Sequence, residues 1–106
     1  MTNIDSARLR AALQDGGEIA LLDVREQGEF GQCHLFHANN TPLSRIELEI
    51  VRLVPRKDTR IVLTSAGVPG LCDSAAAVLE RMGYSDVSIS ADGPVAWEAN
   101  GFTLYS

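Results

Sequence analysis

Cysteine, histidine and basic residues are scarce in this sequence, and each shortage excludes a class of function. Its two cysteines, Cys33 and Cys72, lie far apart, and there are only two histidines, so we expect no metal site and no other cofactor. Nine basic residues against fourteen acidic ones give a net charge of −5, which repels phosphate backbones. Because no local cluster of Lys or Arg offsets that charge, we expect no nucleic-acid partner.

Long apolar runs are missing as well. The run from Ile19 to Leu22, like the others, is far too short to cross a bilayer, so we expect no membrane partner. The segment from Met1 to Asp5 has neither the basic start nor the apolar run of a secretory signal. The residues leave a disulfide open, but a reducing, cytoplasmic location is the expectation that follows.

What the sequence contains is an alternation of helical and strand patterns. A composition of 45% hydrophobic and 22% charged residues is typical of a globular protein, and the length predicts one domain, residues 1–106. Short apolar runs predict strands, and apolar residues at helical spacing predict helices. The predicted strands are Ile19–Val24, Arg60–Thr64 and Asp86–Ser90, and the predicted helices are 5–14, 44–54, 71–82 and 94–97.

One helix start carries a specific signal. Ser44 followed by Glu47 fits a capping box, in which the serine hydroxyl would accept from the backbone of the first turn. Strands separated by helices require crossover connections, so the sequence predicts an α/β fold with a central parallel sheet of four or five strands and helices on both faces. Sites in such sheets form beyond the carboxyl ends of the strands, which points to Asp23–Glu26, Cys33–Asn40 and above all 65–71.

The loop at 65–71 joins a predicted buried strand to the N-terminus of a helix. Backbone N–H groups and the helix dipole would make it a cradle for a small anion such as sulfate or thiosulfate. A cysteine at its first position would have a lowered pKa and act as a covalent nucleophile. The residues present are Ser65, Ala66, Gly67, Val68, Pro69, Gly70 and Leu71.

An ordered set of short motifs runs along the chain. The motifs are Leu21–Glu26, Glu29–Phe30, His34, Ala38–Asn39, Pro42–Ser44, Ile61–Leu63, Ala75–Ala76 with Leu79, Gly83–Tyr84, Val87, Ala96–Trp97 and Gly101. Any one of them would occur by chance. Together they resemble the rhodanese-like domain, the fold of thiosulfate and other sulfurtransferases, over nearly the whole chain.

The resemblance implies a catalytic cysteine where this chain has Ser65 or Ala66, the two positions being the two ways of aligning a loop with about one extra residue. A serine hydroxyl cannot hold a persulfide, so the family's sulfur relay is missing. The family's phosphatase branch opens a loop of this length with Cys and closes it with Arg, and Leu71 stands at the closing position. The resemblance also implies that Asp23 and Arg25 support the loops by ion pairing.

Two functions remain open at this point. One is an inactive domain with a structural, regulatory or interaction role beside an active rhodanese domain, as in a piece of a longer tandem protein. The other is an active sulfurtransferase that uses Cys72 or the thiol of a partner. The helix dipole would lower the pKa of Cys72 and Asp73 would raise it, and we expect a buried structural cysteine that stands past the cradle.

Overall fold

The computed structural model describes residues 2–106, which form one layer of parallel strands between helices. Seven short strands and five α-helices alternate along the chain, with one 3-10 helix before α3. The strands are β1 Thr2–Ile4, β2 Ala20–Asp23, β3 His34–Leu35, β4 Asn39–Asn40, β5 Ile61–Thr64, β6 Val87–Ser90 and β7 Leu104–Tyr105. The helices are α1 Ser6–Gln14, α2 Gln27–Gln32, the 3-10 helix Leu43–Arg45, α3 Ile46–Leu53, α4 Leu71–Arg81 and α5 Pro94–Ala99.

Five of the strands make a single parallel sheet in the order β1-β6-β5-β2-β4. β5 lies at its centre, and side chains alternate between its two faces. Ile61 and Leu63 pack into a cluster with α3 and α4, whereas Val62 packs into a second cluster with Leu9 of α1 and Trp97 of α5. This confirms the predicted α/β fold with a parallel sheet and helices on both faces.

A second, two-stranded sheet pairs β3 with β7 in antiparallel register. Neither strand was predicted, nor were β1, β4 and α2, because these elements are only two to six residues long and carry few buried apolar side chains. None of the helices between Thr2 and Ser106 has the length and apolar character needed to cross a membrane.

The predicted capping box at Ser44 is wrong. Ser44 lies inside the 3-10 helix, and its hydroxyl donates to the Glu26 carboxylate at 3.0 Å instead of accepting from the first turn of α3. α3 begins after Arg45 without a side-chain cap. The 3-10 turn takes up the residues that a capping box would have used, so the start of the helix shifts by two positions.

The end of α3 is closed by a side chain from a distant part of the chain. The buried Tyr84 hydroxyl donates to the carbonyl of Val54 at 2.6 Å, directly after the last helical residue, and lies 3.4 Å from the carbonyl of Ile50. Carbonyls at a helix end have no partner in the helix, so this bond satisfies one of them and joins α3 to the turn after α4.

We predict that Tyr84→Phe lowers the free energy of unfolding by about 1–2 kcal/mol, because it leaves a buried carbonyl without a donor while keeping the ring. Equilibrium unfolding in urea measures the change. The control is Tyr105→Phe, which removes the same hydroxyl from a ring that is largely exposed and should cost less than about 0.5 kcal/mol. Equal losses in the two variants would contradict the role given to the Tyr84 bond.

Candidate functional site

The loop between β5 and α4 is a tight turn closed by reciprocal bonds. The Val68 N–H donates to the Ser65 carbonyl at 3.0 Å, and the Ser65 hydroxyl donates to the Val68 carbonyl at 2.8 Å. Between them Ala66 has φ +53° and Gly67 φ +83°, both in the left-handed region. Glycine adopts that region at little cost, whereas Ala66 is strained there.

The loop leaves several donors free beside an open cavity. Among residues 2–106, the N–H groups of Gly67, Gly70 and Leu71 donate to no other residue. A cavity of about 270 Å³ lies against the loop, with Val68 and Pro69 on one side. Val68 is partly exposed and Leu71 packs towards the core, so neither side chain fills the space.

The first loop residue, Ser65, is buried, with 2% of its surface exposed. Cys72 lines the same cavity, and its thiol lies near the Ser65 hydroxyl, whose proton is donated to the Val68 carbonyl. Cys72 is buried, as expected, and it lines the loop cavity together with Ser65. The turn at Ala66 and Gly67 folds the loop back, which brings the first helical turn of α4 beside the end of β5.

The surroundings of Cys72 hold its thiol in the protonated form. Burial raises the pKa of Cys72 above its ordinary value, and the Asp23 and Asp73 carboxylates add to this rise. The nearby Ser65 hydroxyl lowers the pKa of Cys72 but does not overcome burial. Since the thiolate is the nucleophilic form, this environment is that of an unreactive cysteine.

The charges around the loop cavity are of one sign. Asp73 lines it, and no Lys or Arg of residues 2–106 does. Ile89 and Ala91 of the β6 end complete an otherwise apolar wall. Any anion in this cavity would therefore depend on backbone donors and the α4 dipole, against one nearby carboxylate.

The connection after β6 supports the loop from the other side, which the sequence did not indicate. A Cβ built on Gly93 would lie 3.1 Å from the carbonyl oxygen of Ala66, so a larger residue at 93 would press on the loop. Gly93 directly precedes Pro94, the first residue of α5, and its lack of a side chain leaves room for the loop backbone.

The Asp23–Arg25 ion pair that the resemblance implies is present and buried. The Arg25 guanidinium donates to Asp23 at 2.7 and 3.0 Å, and these bonds raise its pKa further above its ordinary value. Its remaining donors reach the carbonyls of Glu29 at 3.1 Å and Cys33 at 2.6 Å. The pair thus fixes the connection around α2, and neither side chain hydrogen-bonds to the loop at 65–71.

The segment from Cys33 to Asn40 lies beside this ion pair rather than in the loop cavity. The Asn40 amide donates to the carbonyls of Asp23 and Arg25, at 3.2 and 2.8 Å, and His34 bonds to the Phe30 carbonyl at 3.0 Å. These contacts are structural. Of the three segments predicted to carry a site, only the loop at 65–71 contributes to the cavity that Cys72 lines.

Fold and loop together define an α/β domain with a strand–loop–helix site at the carboxyl end of its sheet. The family model of the rhodanese-like domain matches residues 5–100. The chain therefore belongs to the rhodanese-like domain family. A comparison with the sequences of curated proteins gave no match.

Solved structures agree with this assignment. A thiosulfate sulfurtransferase from Pseudomonas aeruginosa is 44% identical, with a TM-score of 0.89 over 99% of this chain and 20% of that one. The present chain thus spans about a fifth of the length of that protein. The Alr3790 protein from Anabaena sp. is 24% identical, with a TM-score of 0.82 over 95% of this chain and 89% of that one. A rhodanese with anions from E. coli is 24% identical, with a TM-score of 0.67 over 81% and 95%.

We predict that Arg25→Met lowers the free energy of unfolding by about 3–5 kcal/mol, because it leaves the buried Asp23 carboxylate without its counter-charge. Denaturant unfolding measures this. The double variant with Asp23→Asn should recover a large part of the loss. As a control, Arg45→Met breaks the exposed pair with Glu49 and should cost less than about 0.5 kcal/mol. A loss below about 1 kcal/mol for Arg25→Met would contradict the role of the ion pair.

Proposed function

We propose that this chain is a catalytically inactive rhodanese-like domain with a structural, regulatory or interaction role beside an active rhodanese domain. The observation that carries the proposal is Ser65: it is buried at the first loop position and its hydroxyl is bonded to the Val68 carbonyl. Sulfur transfer from thiosulfate needs a thiolate that takes the outer sulfur as a persulfide and releases sulfite. A serine hydroxyl cannot form that intermediate.

The neighbouring active domain is proposed from the length of a relative. The chain is 44% identical to a fifth of a protein described as a thiosulfate sulfurtransferase, so most of that relative lies outside the region of similarity. An inactive domain in such a chain would supply folding support or a surface for a partner, while another domain holds the nucleophile. We expect the location to be cytoplasmic.

One observation favours a second candidate function, an active sulfurtransferase. The Cys72 thiol lines the loop cavity beside Ser65, where a substrate in the cradle would meet it. Burial and the flanking carboxylates keep that thiol protonated, so the observation does not outweigh the missing cysteine at the loop start. The same candidate function would also be possible if a partner protein placed its own thiol in the cavity.

Thiosulfate:cyanide transfer by the isolated domain tests the two candidates. We expect no thiocyanate formation above background. We also expect the exchange variant Ser65→Cys/Cys72→Ser, which trades the thiol and the hydroxyl, to alkylate with iodoacetamide about tenfold faster than Cys72 does, because its thiol would start the loop beside the free N–H groups.

Cys33 serves as the internal reference for alkylation in the wild type and in the exchange variant. A second exchange variant, Ala66→Cys/Cys72→Ser, tests the other position at which the family's cysteine could align. A robust transfer rate that disappears in Cys72→Ala would overturn the inactive assignment. Slow and equal alkylation of both engineered thiols would show that the loop has lost the geometry of a nucleophile site.

We also propose that the loop retains a weak anion site for sulfate or thiosulfate. Its support is the free N–H groups of Gly67 and Gly70, which line an open cavity, and the free N–H of Leu71 at the start of α4. Pro69 removes one donor, and Asp73 opposes the anion. The cavity has room for the anion, so we expect the repulsion from Asp73 to limit the affinity for sulfate.

Asp73→Asn should therefore raise the affinity for sulfate about fivefold at low salt, since one carboxylate near the anion costs about 1 kcal/mol in water. Amide chemical shifts of Gly67 and Gly70, followed by NMR at constant ionic strength, measure the binding. Asp58→Asn makes the same change of net charge at the opposite edge of the sheet and should leave the affinity unchanged. Absence of saturable shifts in both the wild type and Asp73→Asn would disprove the anion site.

A further inference from the structure

A second cavity, of about 280 Å³, lies between α1 and the small sheet formed by β3 and β7. It shares no lining residue with the loop cavity. The residues on which the argument rests are Arg10, Leu35, Phe36, His37, Phe102 and Tyr105. The functions proposed for the loop at 65–71 make no use of this second cavity.

The lining of this cavity combines polar groups with the aromatic rings of Phe36, Phe102 and Tyr105. Leu35 is fully buried beneath it, and Phe102 packs against the same core cluster. Phe36 and Tyr105 stand at the rim with ring centroids 5.1 Å apart and an interplanar angle of 46°, yet both rings are exposed. Exposed aromatic faces beside a hollow favour a planar ligand that stacks on them.

The side chain of Arg10, an exposed residue, lines this cavity and makes one hydrogen bond to the backbone. Nη1 of Arg10 donates to the Asn100 carbonyl at 2.7 Å, and the same nitrogen occupies the space that a side chain at Gly101 would fill. This holds the head group in place with one bond. Because a guanidinium has five donors, most of its capacity remains for a ligand, and its planar fork matches a carboxylate.

The charge of this cavity differs from that of its surroundings. No Asp or Glu of residues 2–106 lines it, although the chain carries a net charge of −5. Asp73 lines the loop cavity, and four acidic residues and two arginines line the cavity at the opposite end of the strands. In an acidic protein, a pocket with an anchored arginine and no carboxylate is complementary to an anion.

We propose that this cavity binds a small aromatic carboxylate, with the ring against Phe36, Phe102 and Tyr105 and the carboxylate on Arg10. The volume lies near the lower end of about 300–1,000 Å³ found for ligand cavities, so it accepts a ligand of one ring and not a nucleotide. The site is independent of the loop at 65–71 and of the proposed inactive role.

The test is NMR titration of the intact domain with 3-phenylpropanoate and, as its neutral match, 3-phenylpropanamide. We expect saturable shifts at Phe36, Phe102 and Thr103, and at least about tenfold weaker binding of the amide. Arg10→Gln should weaken binding of the acid by at least about tenfold and abolish its preference over the amide, while Arg10→Lys should lie between. Arg8→Gln removes a charge from the same helix outside the cavity and is the control.

Equal affinities for acid and amide, an unchanged affinity in Arg10→Gln, or shifts scattered outside the cavity would overturn the proposal. Tighter binding of a short peptide that ends in phenylalanine would overturn the small-molecule assignment, since the carboxylate would then come from a polypeptide. The backbone N–H spectrum of each variant shows whether that variant is folded. If Arg10→Gln does not fold, the weaker binding expected for Arg10→Lys still tests the proposal.

Discussion

The parallel register of β2, β5 and β6 decides where the loops of this domain lie. Asp23, Thr64 and Ser90 are aligned across three neighbouring strands. The three loops that follow these strands therefore all begin at the carboxyl end of the sheet. The loop after Thr64 is thereby placed between the buried ion pair that follows β2 and the Gly93 turn that follows β6. Since both neighbours are fixed by burial or by close backbone contact, the loop keeps its turn without a catalytic side chain.

The sequence predicted the parts of the fold that depend on continuous burial. Ile61 to Thr64 is buried at every position, and a short apolar run is the pattern of such a strand. The edge strand β1 escaped prediction because Thr2 and Asn3 are exposed and polar. Ser44 matched a capping box by spacing alone, but its hydroxyl found a carboxylate from another segment. Local patterns cannot anticipate such tertiary partners.

The sequence predicted where the loop after β5 lies, whereas the function of that loop stays a prediction. The strand–loop–helix pattern located the loop at 65–71, and the cavity confirms that space exists there. The approach of Cys72 to Ser65 could not be read from spacing, because it depends on the left-handed backbone at Ala66 and Gly67. The second cavity includes residues 35–37 of the segment Cys33–Asn40 that the sequence singled out, but its other wall comes from α1 and the strand β7, which the sequence did not predict as a partner. In charge the two cavities are opposites: one carries a carboxylate, the other an anchored guanidinium.

The proposed inactivity requires that neither thiol of this rhodanese-like domain takes up sulfur from a donor. Intact-mass measurement after incubation with thiosulfate or mercaptopyruvate, followed by peptide mapping, tests it most directly. The account predicts that neither Cys72 nor Cys33 gains the mass of a sulfur atom beyond the level of a denatured control. A persulfide that forms on Cys72 in the folded domain, and is discharged by cyanide, would contradict it.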